Sequence, residues 1–572
     1  MSGSWVNREA ETPGAPIPFS VHEQDRAVIR DNIVDAVVMA PDIIRIQLGV
    51  CVSQIVKHDF PERWPQIVDK VSLYLQNPDP AGWLGALLSL YQLVKNYEYK
   101  KAEERGPLRE AMNLLLPQLY GIITQLMPDP SQQSVAVQKQ ILKIYFALTQ
   151  YVLPLDLITK EVFGQWMEVL RLITEADVPA HTLQVDEEER PQLIWWKRKK
   201  WALHTLTRLF ERYGSPGSVT KEYKEFSEWF LKTFSGGILA AMLKNLDQYR
   251  QQVYVSPRVM QQALNYINTA VSHGHSWKLI KPHMLQILQD IVFPLMSYSE
   301  SDAELWDTDP YEYIRIKFDI FEDFVSPVTA AQTLLHSACK KRKEMLQKTM
   351  NMLLSIIQTA GTTPSQKDGA LHMIGTMADI LLKKPVYKEQ MEKFLVEIVF
   401  PEFQSPHGHL RARACWVLHY FSDVKYKNEA VLAEAFRLTV ASLLHDKEPP
   451  VKVEAAIAVQ MMLSSKGESA RKYLEPQIRE ITLELLKIIR ETENDDLTSV
   501  MQKIVCTYTE QLVPVAVDIC QHLVGTFAQV GDFVKDSIPA SRELSPATIF
   551  WLWALVRLRA NLGLLPSCPL WA

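Results

Sequence analysis

Glycine and cysteine are both scarce, at 21 and six in 572 residues. The cysteines, at positions 51, 339, 415, 506, 520 and 568, are scattered, form no CxxC pair and follow no signal peptide. They read as reduced thiols of the cytosol or nucleus rather than as a disulfide framework. Long hydrophobic runs are lacking too. The nearest, Ala547 to Val556, is too short to span a bilayer and is followed by Arg557 and Arg559. A charge excess of one sign is missing: 61 Lys and Arg face 66 Asp and Glu, for a net charge of -5. That balance excludes the basic surplus expected of a dedicated nucleic-acid binder. GxxxxGK[ST], GxSxG and HExxH are all absent, so the chain is read as a non-enzyme without a cofactor. The histidine groups His273, His275, His283 and His407, His409 have no further ligand at metal-site spacing.

What is present is a repeat. Apolar residues fall at Leu410, Ala414, Val417, Leu418 and Phe421, and again at Val451, Ala455, Ala458, Val459 and Met462. Both sets trace the same face of an α-helix, 41 residues apart. Each set carries a basic residue one step in (Arg411, Lys452) and follows a polar, proline-bearing turn. Registers starting at Ala370, Leu410, Val451 and Leu497 succeed one another at 40, 41 and 46 residues, and a pair at Ile44 and Trp83 is 39 apart. Looser matches begin at Val137, Ala202 and Val259, and the gap from Val259 to Ala370, 111 residues, has room for two repeats plus an insertion. A turn, a helix and a recurrence near forty residues predict an all-α, right-handed α-solenoid (superhelix) of HEAT/armadillo-like helix pairs. One such pair is marginal alone and stable once stacked, because burying a Leu, Val or Phe contributes roughly 1.5–3 kcal/mol. The expected division is a proline-containing leader over 1–20, the solenoid over 21–530 and a divergent, poorly ordered tail over 531–572.

Taken in order, helices are expected over Glu23–Met39 and Pro41–Lys57, stopped by Asp59-Phe60-Pro61-Glu62-Arg63-Trp64-Pro65. That turn, with Trp83-Leu84-Gly85, LYQLVKNYEYKK at 90–101, DEEERP at 186–191, WWKRKKWALH at 195–204, DPYEYIR at 309–315, KDGALHMIG at 367–375, RARACWVLH at 411–419 and IRETENDDL at 489–497, resembles the importin-beta (karyopherin) family, in its importin-7/importin-8 branch. The likeness runs from about Trp5 to Gln529. Against the family pattern the chain looks truncated at both ends, with Trp5 falling beyond two N-terminal repeats that contact the GTPase Ran.

The resemblance implies a nuclear transport receptor shuttling between cytoplasm and nucleus. Its partners would be cargo proteins, typically basic, the small GTPase Ran, phenylalanine-glycine (FG) repeat nucleoporins at the nuclear pore and, as an open question, importin-beta. It would have no direct nucleic-acid contact and no membrane span. Candidate cargo- or Ran-binding residues are the acidic turn Asp186, Glu187, Glu188, Glu189 and, in the acidic, aromatic stretch from Glu300 to Asp323, Asp302, Glu304, Asp307, Asp309 and Glu312. The plain alternative for the first is a solvated loop. In the second the aromatic residues read as core and the carboxylates as contacts. The basic runs Lys197–Lys200 and Lys340–Lys343 read as solvated surface. Two rival functions remain open: a HEAT-repeat interaction scaffold, and a truncated importin that binds cargo but answers weakly to Ran.

Overall fold

A computed structural model describes residues 21–319, 324–492 and 494–515, so the leader and the divergent tail lie outside it. The described residues contain helices and turns and no strand. They group into two units that divide between Pro282 and His283.

In the first unit α1 (Glu23–Met39) opens at His22, whose ring accepts the Gln24 N–H, and α2 spans Asp42–Asp59. Acidic residues in the first turns (Glu23, Asp25, Asp42) and Lys57 and His58 in the last turn of α2 oppose the helix dipoles. Both helices agree with the sequence expectation to within two residues. The proline-flanked turn buries Trp64, and Asp59 beside it pairs with Arg30 of α1 at 2.6 Å. There follow α3 (Ile67–Gln76), α4 (Trp83–Tyr97), α5 (Gly106–Leu126), α6 (Gln132–Thr149), α7 (Lys160–Glu175), α8 (Ile194–Tyr213), α9 (Lys224–Arg250), α10 (Pro257–Ser272) and α11 (Gly274–Ile287).

These helices form two layers. In the B layer α2, α4, α6, α8 and α10 each pack on the next, while the A layer includes the neighbours α1, α3 and α5 and the neighbours α7 and α9. Aromatic residues fill the space between layers, as where Tyr145 of α6 stacks on Trp166 of α7 with ring centroids 4.3 Å apart. Helices α1 and α4 approach closely at Gly85, where a Cβ would stand 2.6 Å from the Val38 Cα.

The second unit repeats the plan. The end of α11 passes through a π-helical turn and Phe293–Met296 into two short helices, α12 (Glu300–Thr308) and α13 (Pro310–Lys317). Then come α14 (Pro327–Lys341), α15 (Lys343–Gln358), α16 (Pro364–Thr376), α17 (Gly408–Tyr420), α18 (Glu429–His445), α19 (Pro449–Lys466), α20 (Ile478–Thr492) and α21 (Asp495–Thr507). Its B layer is α14, α16, α17, α19 and α21, each packed on the next.

All nine sequence registers fall in B-layer helices. The sets begun at Ala370, Leu410 and Val451 are buried throughout, whereas Ile44, which opens the first, is 49 % exposed. Helix α14, which no register marked, fills the long gap together with the insertion. In α16, α17 and α19 the basic residue near the helix start has a structural task, because it reaches an acid in the following repeat. Lys367 meets Glu402 at 2.6 Å, Arg411 meets Asp446 at 2.6 Å, and Lys452 meets Glu484.

Candidate functional site

The acidic stretch of the second unit enters where a B helix would be expected, between Phe293–Met296 and α14. It is a strap rather than a free loop. Ser365, at the start of α16, donates through its hydroxyl to the Tyr298 carbonyl at 2.5 Å. The Tyr298 ring stacks on His409, at the start of α17, with centroids 4.0 Å apart. Trp306 Nε1 donates to Glu448 Oε2 at 2.6 Å, just before α19, and the Tyr311 hydroxyl reaches Glu491, in the last turn of α20, at 3.5 Å. The strap therefore crosses the starts of three successive B helices, α16, α17 and α19, and ends against α20. Those starts are the positive ends of the helix dipoles, which favours an acidic segment there.

Aromatic side chains hold the strap down. Trp306 is 7 % exposed and packs on Ala412 and Val451, with Tyr298 and Tyr313 against the same cluster. This agrees with the core reading for Trp306 and Tyr313, whereas Phe324, read as core with them, is 81 % exposed, because it lies past the two short helices that the strap packs down. Gly408 leaves room for the anchor, since a Cβ there would come within 1.9 Å of a Glu448 carboxylate oxygen. Glu448 in turn is fixed by Arg411 at 3.2 Å.

The five candidate carboxylates of the strap have different roles. Asp302 accepts the Ser299 N–H in a capping box and pairs with Lys317 at 2.8 Å. Burial raises its pKa, but Lys317 and Ser299 outweigh that and hold it below the usual carboxylate value. Asp309 caps α13 by accepting the Tyr311 and Glu312 N–H groups, and Glu312 pairs with Arg315 at 2.7 Å. Glu304 and Asp307 are exposed, and neither side chain has an ion-pair partner among the described residues. Phe321, Glu322 and Asp323 lie outside the described residues.

The first unit carries the other acidic candidate in the same topological slot, the connection from A helix α7 to B helix α8. Arg190 shapes that loop, donating to the carbonyls of Val185 at 2.8 Å and Leu183 at 3.1 Å, with its guanidinium 5.1 Å from the Tyr254 ring centroid. Glu187 makes a 3.4 Å pair with Arg190, and Asp186, Glu188 and Glu189 are exposed. The loop is thus ordered by its arginine while its carboxylates face solvent.

The basic run Lys197–Lys200 departs from its expected place on a solvated face. Arg198 and Lys199 are buried at 8 % and 2 % exposure, Arg198 donating to Gln138 at 2.9 Å and Lys199 to the Ala176 carbonyl at 2.9 Å. Helix α8 packs on α6, α7 and α10, and these neighbours cover positions that would be open on a lone amphipathic helix. By contrast Lys340, Lys341 and Lys343 are exposed, as expected. Sequence reasoning missed the strap's anchors, Tyr298, His409 and Glu448. His409 had been weighed only as a metal ligand, and no local signal pairs it with a tyrosine 111 positions earlier.

Two layers of paired helices with acidic A-to-B connections define a HEAT-type α-solenoid, and solved structures of this fold include importins and exportins. The exportin Cse1 in its cargo-free, cytoplasmic state superposes with a TM-score of 0.72 at 16 % identity, over 95 % of this chain and 59 % of that one. Yeast importin-beta (Kap95p) superposes with a TM-score of 0.59 at 12 % identity, over 94 % and 58 %. A Cse1 family model matches residues 110–379. In sequence the chain is 55 % identical to Importin-8 of Homo sapiens over 526 residues, 92 % of this chain and 51 % of the relative. It is 52 % identical to Importin-8 of Danio rerio, over 93 % and 52 %, and 33 % identical to the importin beta-like SAD2 homolog of Arabidopsis thaliana, over 88 % and 49 %. The chain belongs to the importin-beta family, in the importin-7/importin-8 branch. It spans about half the length of the curated relatives it matches.

Proposed function

We propose that the chain works as a nuclear transport receptor that carries protein cargo through the nuclear pore, with release controlled by Ran in its GTP form. The observation that carries this reading is the placement of carboxylates without partners on ordered A-to-B connections: Glu304 and Asp307 on the strap, and Asp186, Glu188 and Glu189 on the α7–α8 loop. Such groups are suited to a basic segment of cargo or to a basic face of Ran. One exposed pair contributes at most about 1 kcal/mol, so several must act together and binding must weaken with salt. FG-repeat nucleoporins, and an importin-beta partner, follow from the family in the same way, as does shuttling between cytoplasm and nucleus. Catalysis has no part in this reading.

The test is capture of a lysine-rich cargo segment on the immobilised chain, with Ran-GTP, Ran-GDP or neither. Transport-receptor behaviour requires cargo to be retained alone and with Ran-GDP and displaced by Ran-GTP. Cargo held equally in all three arms would favour an interaction scaffold outside transport. The variant Asp186→Asn, Glu188→Gln, Glu189→Gln, Glu304→Gln, Asp307→Asn should lose most of the cargo retained by the parent.

A further inference from the structure

The B layer of the first unit carries a cationic surface that the transport reading does not use. Lys95 lies on α4, Lys139 and Lys143 on α6, Lys200 on α8 and Arg258 on α10, so four successive B helices contribute. Two aromatic rings tie Lys95, Lys143 and Lys200 into one row. The Lys143 ammonium lies 4.4 Å from the Tyr91 centroid and 5.8 Å from that of Trp201. Lys200 lies 4.0 Å from Trp201, and Lys95 lies 5.8 Å from Tyr91.

Carboxylates meet the α4 end of this row and Arg208 beside it. Glu98 pairs with Lys95 at 3.4 Å and Glu211 with Arg208 at 3.4 Å. Lys139, Lys143 and Lys200 form no ion pair among the described residues, and the charges acting on them are other cations: Lys197 on Lys139, Lys139 and Lys95 on Lys143, and Arg258, Lys143, Lys139 and Lys197 on Lys200. Burial, and then those neighbours, push Lys143 and Lys200 down to about 8. His204, beside them on α8, is pushed down to about 3 by burial and by Lys200, Arg258 and Arg208, so it adds no charge at neutral pH. Three half-buried ammonium groups held together without counter-ions oppose folding, and an anionic ligand would relieve the repulsion.

We propose that this face is a docking site for an extended, acidic protein segment whose carboxylates pair with Lys139, Lys143 and Lys200. Adjacent packed helices stand roughly 8–10 Å apart, and an extended segment in the polyproline II conformation returns to the same face every three residues, about 9 Å along its axis. An acid at every third residue therefore matches the step from α6 to α8. Nucleic acid fits less well, because the faces of Tyr91 and Trp201 on which bases would stack already carry ammonium groups.

Fluorescence anisotropy with a labelled peptide bearing Glu at every third position, and its Gln counterpart, tests the site on the full chain. The Glu peptide should bind and the Gln peptide should not. The Lys139→Gln, Lys143→Gln, Lys200→Gln variant should lose at least about tenfold in affinity, as expected for up to three pairs of ~1 kcal/mol each. Lys340→Gln, Lys343→Gln, at the exposed junction of α14 and α15, should bind like the parent. A readout that needs no variant is amine acylation followed by mass spectrometry, in which the Glu peptide should shield Lys143 and Lys200 but leave Lys340 reactive. Failure of the Glu peptide to bind, equal labelling of Lys143 and Lys200 with and without it, or tighter binding of a single-stranded RNA than of the peptide would each overturn the proposal. The cargo and Ran experiment above reads different residues and can succeed or fail independently.

Discussion

At the scale of single residues, buried charges decide most. Asp368 of α16 is 2 % exposed in its side chain and is held by Arg413 of α17 at 2.7 Å. Arg413→Ala leaves that carboxylate buried and unpaired, which should cost roughly 3–5 kcal/mol and lower the urea midpoint of the second unit. Arg413→Met with Asp368→Leu should recover most of the loss, because neither charge then remains. Nearby, burial pushes Glu454 of α19 up to about 7, with Arg413 opposing and Asp496 adding to the shift. A carboxyl whose folded pKa lies above its unfolded value near 4.5 keeps its proton in the folded state. Its contribution is fully present below pH 4.5 and is lost as pH rises through 7. Glu454→Gln should therefore flatten the fall in stability between pH 5 and 8, which denaturant titrations at the two pH values will read. Neither pair could be identified from the sequence. Arg413 was visible only as part of a family motif, and Asp368 lies 45 residues away in the preceding B helix.

Helices and their connections were more legible. The repeating apolar face located nine B-layer helices because it is set by local spacing, and α1 and α2 were placed to within two residues. The basic residues at the starts of α17 and α19 were noticed, but their partners in the next repeat were not, since those lie 35 and 32 positions downstream. The strap was recognised as an acidic and aromatic insertion with core rings. Its course was not, because Trp306 and Glu448 are 142 residues apart and Tyr311 and Glu491 are 180 apart. Basic residues on α8 were misplaced for a related reason, since the helices that bury them belong to neighbouring repeats. If Trp306 is the strap's main anchor, Trp306→Ala should abolish hydrogen-exchange protection over 300–317 while α4 and α6 stay protected. Unchanged protection of the strap would show that the tyrosines suffice.

For the chain as a whole, a repeat architecture makes a distinct thermodynamic prediction, because each helix pair is supported mainly by its neighbours. Gly85→Ala drives a methyl group into the α1 backbone and should destabilise by about 1–3 kcal/mol. In a solenoid the resulting rise in hydrogen exchange stays close to α1, α2 and α4 and leaves α17–α20 as protected as before. A single cooperative globule would loosen throughout.

The strap also has a mechanical consequence. It runs beside the repeats of the second unit as a tie fastened at successive points along one margin. Spreading those points would have to break the Trp306 and Tyr311 hydrogen bonds together with the packing beneath Trp306, whereas drawing them closer breaks none of them. Flexing of this part of the chain is therefore stiff in one sense and compliant in the other, like a bow with its string on one side.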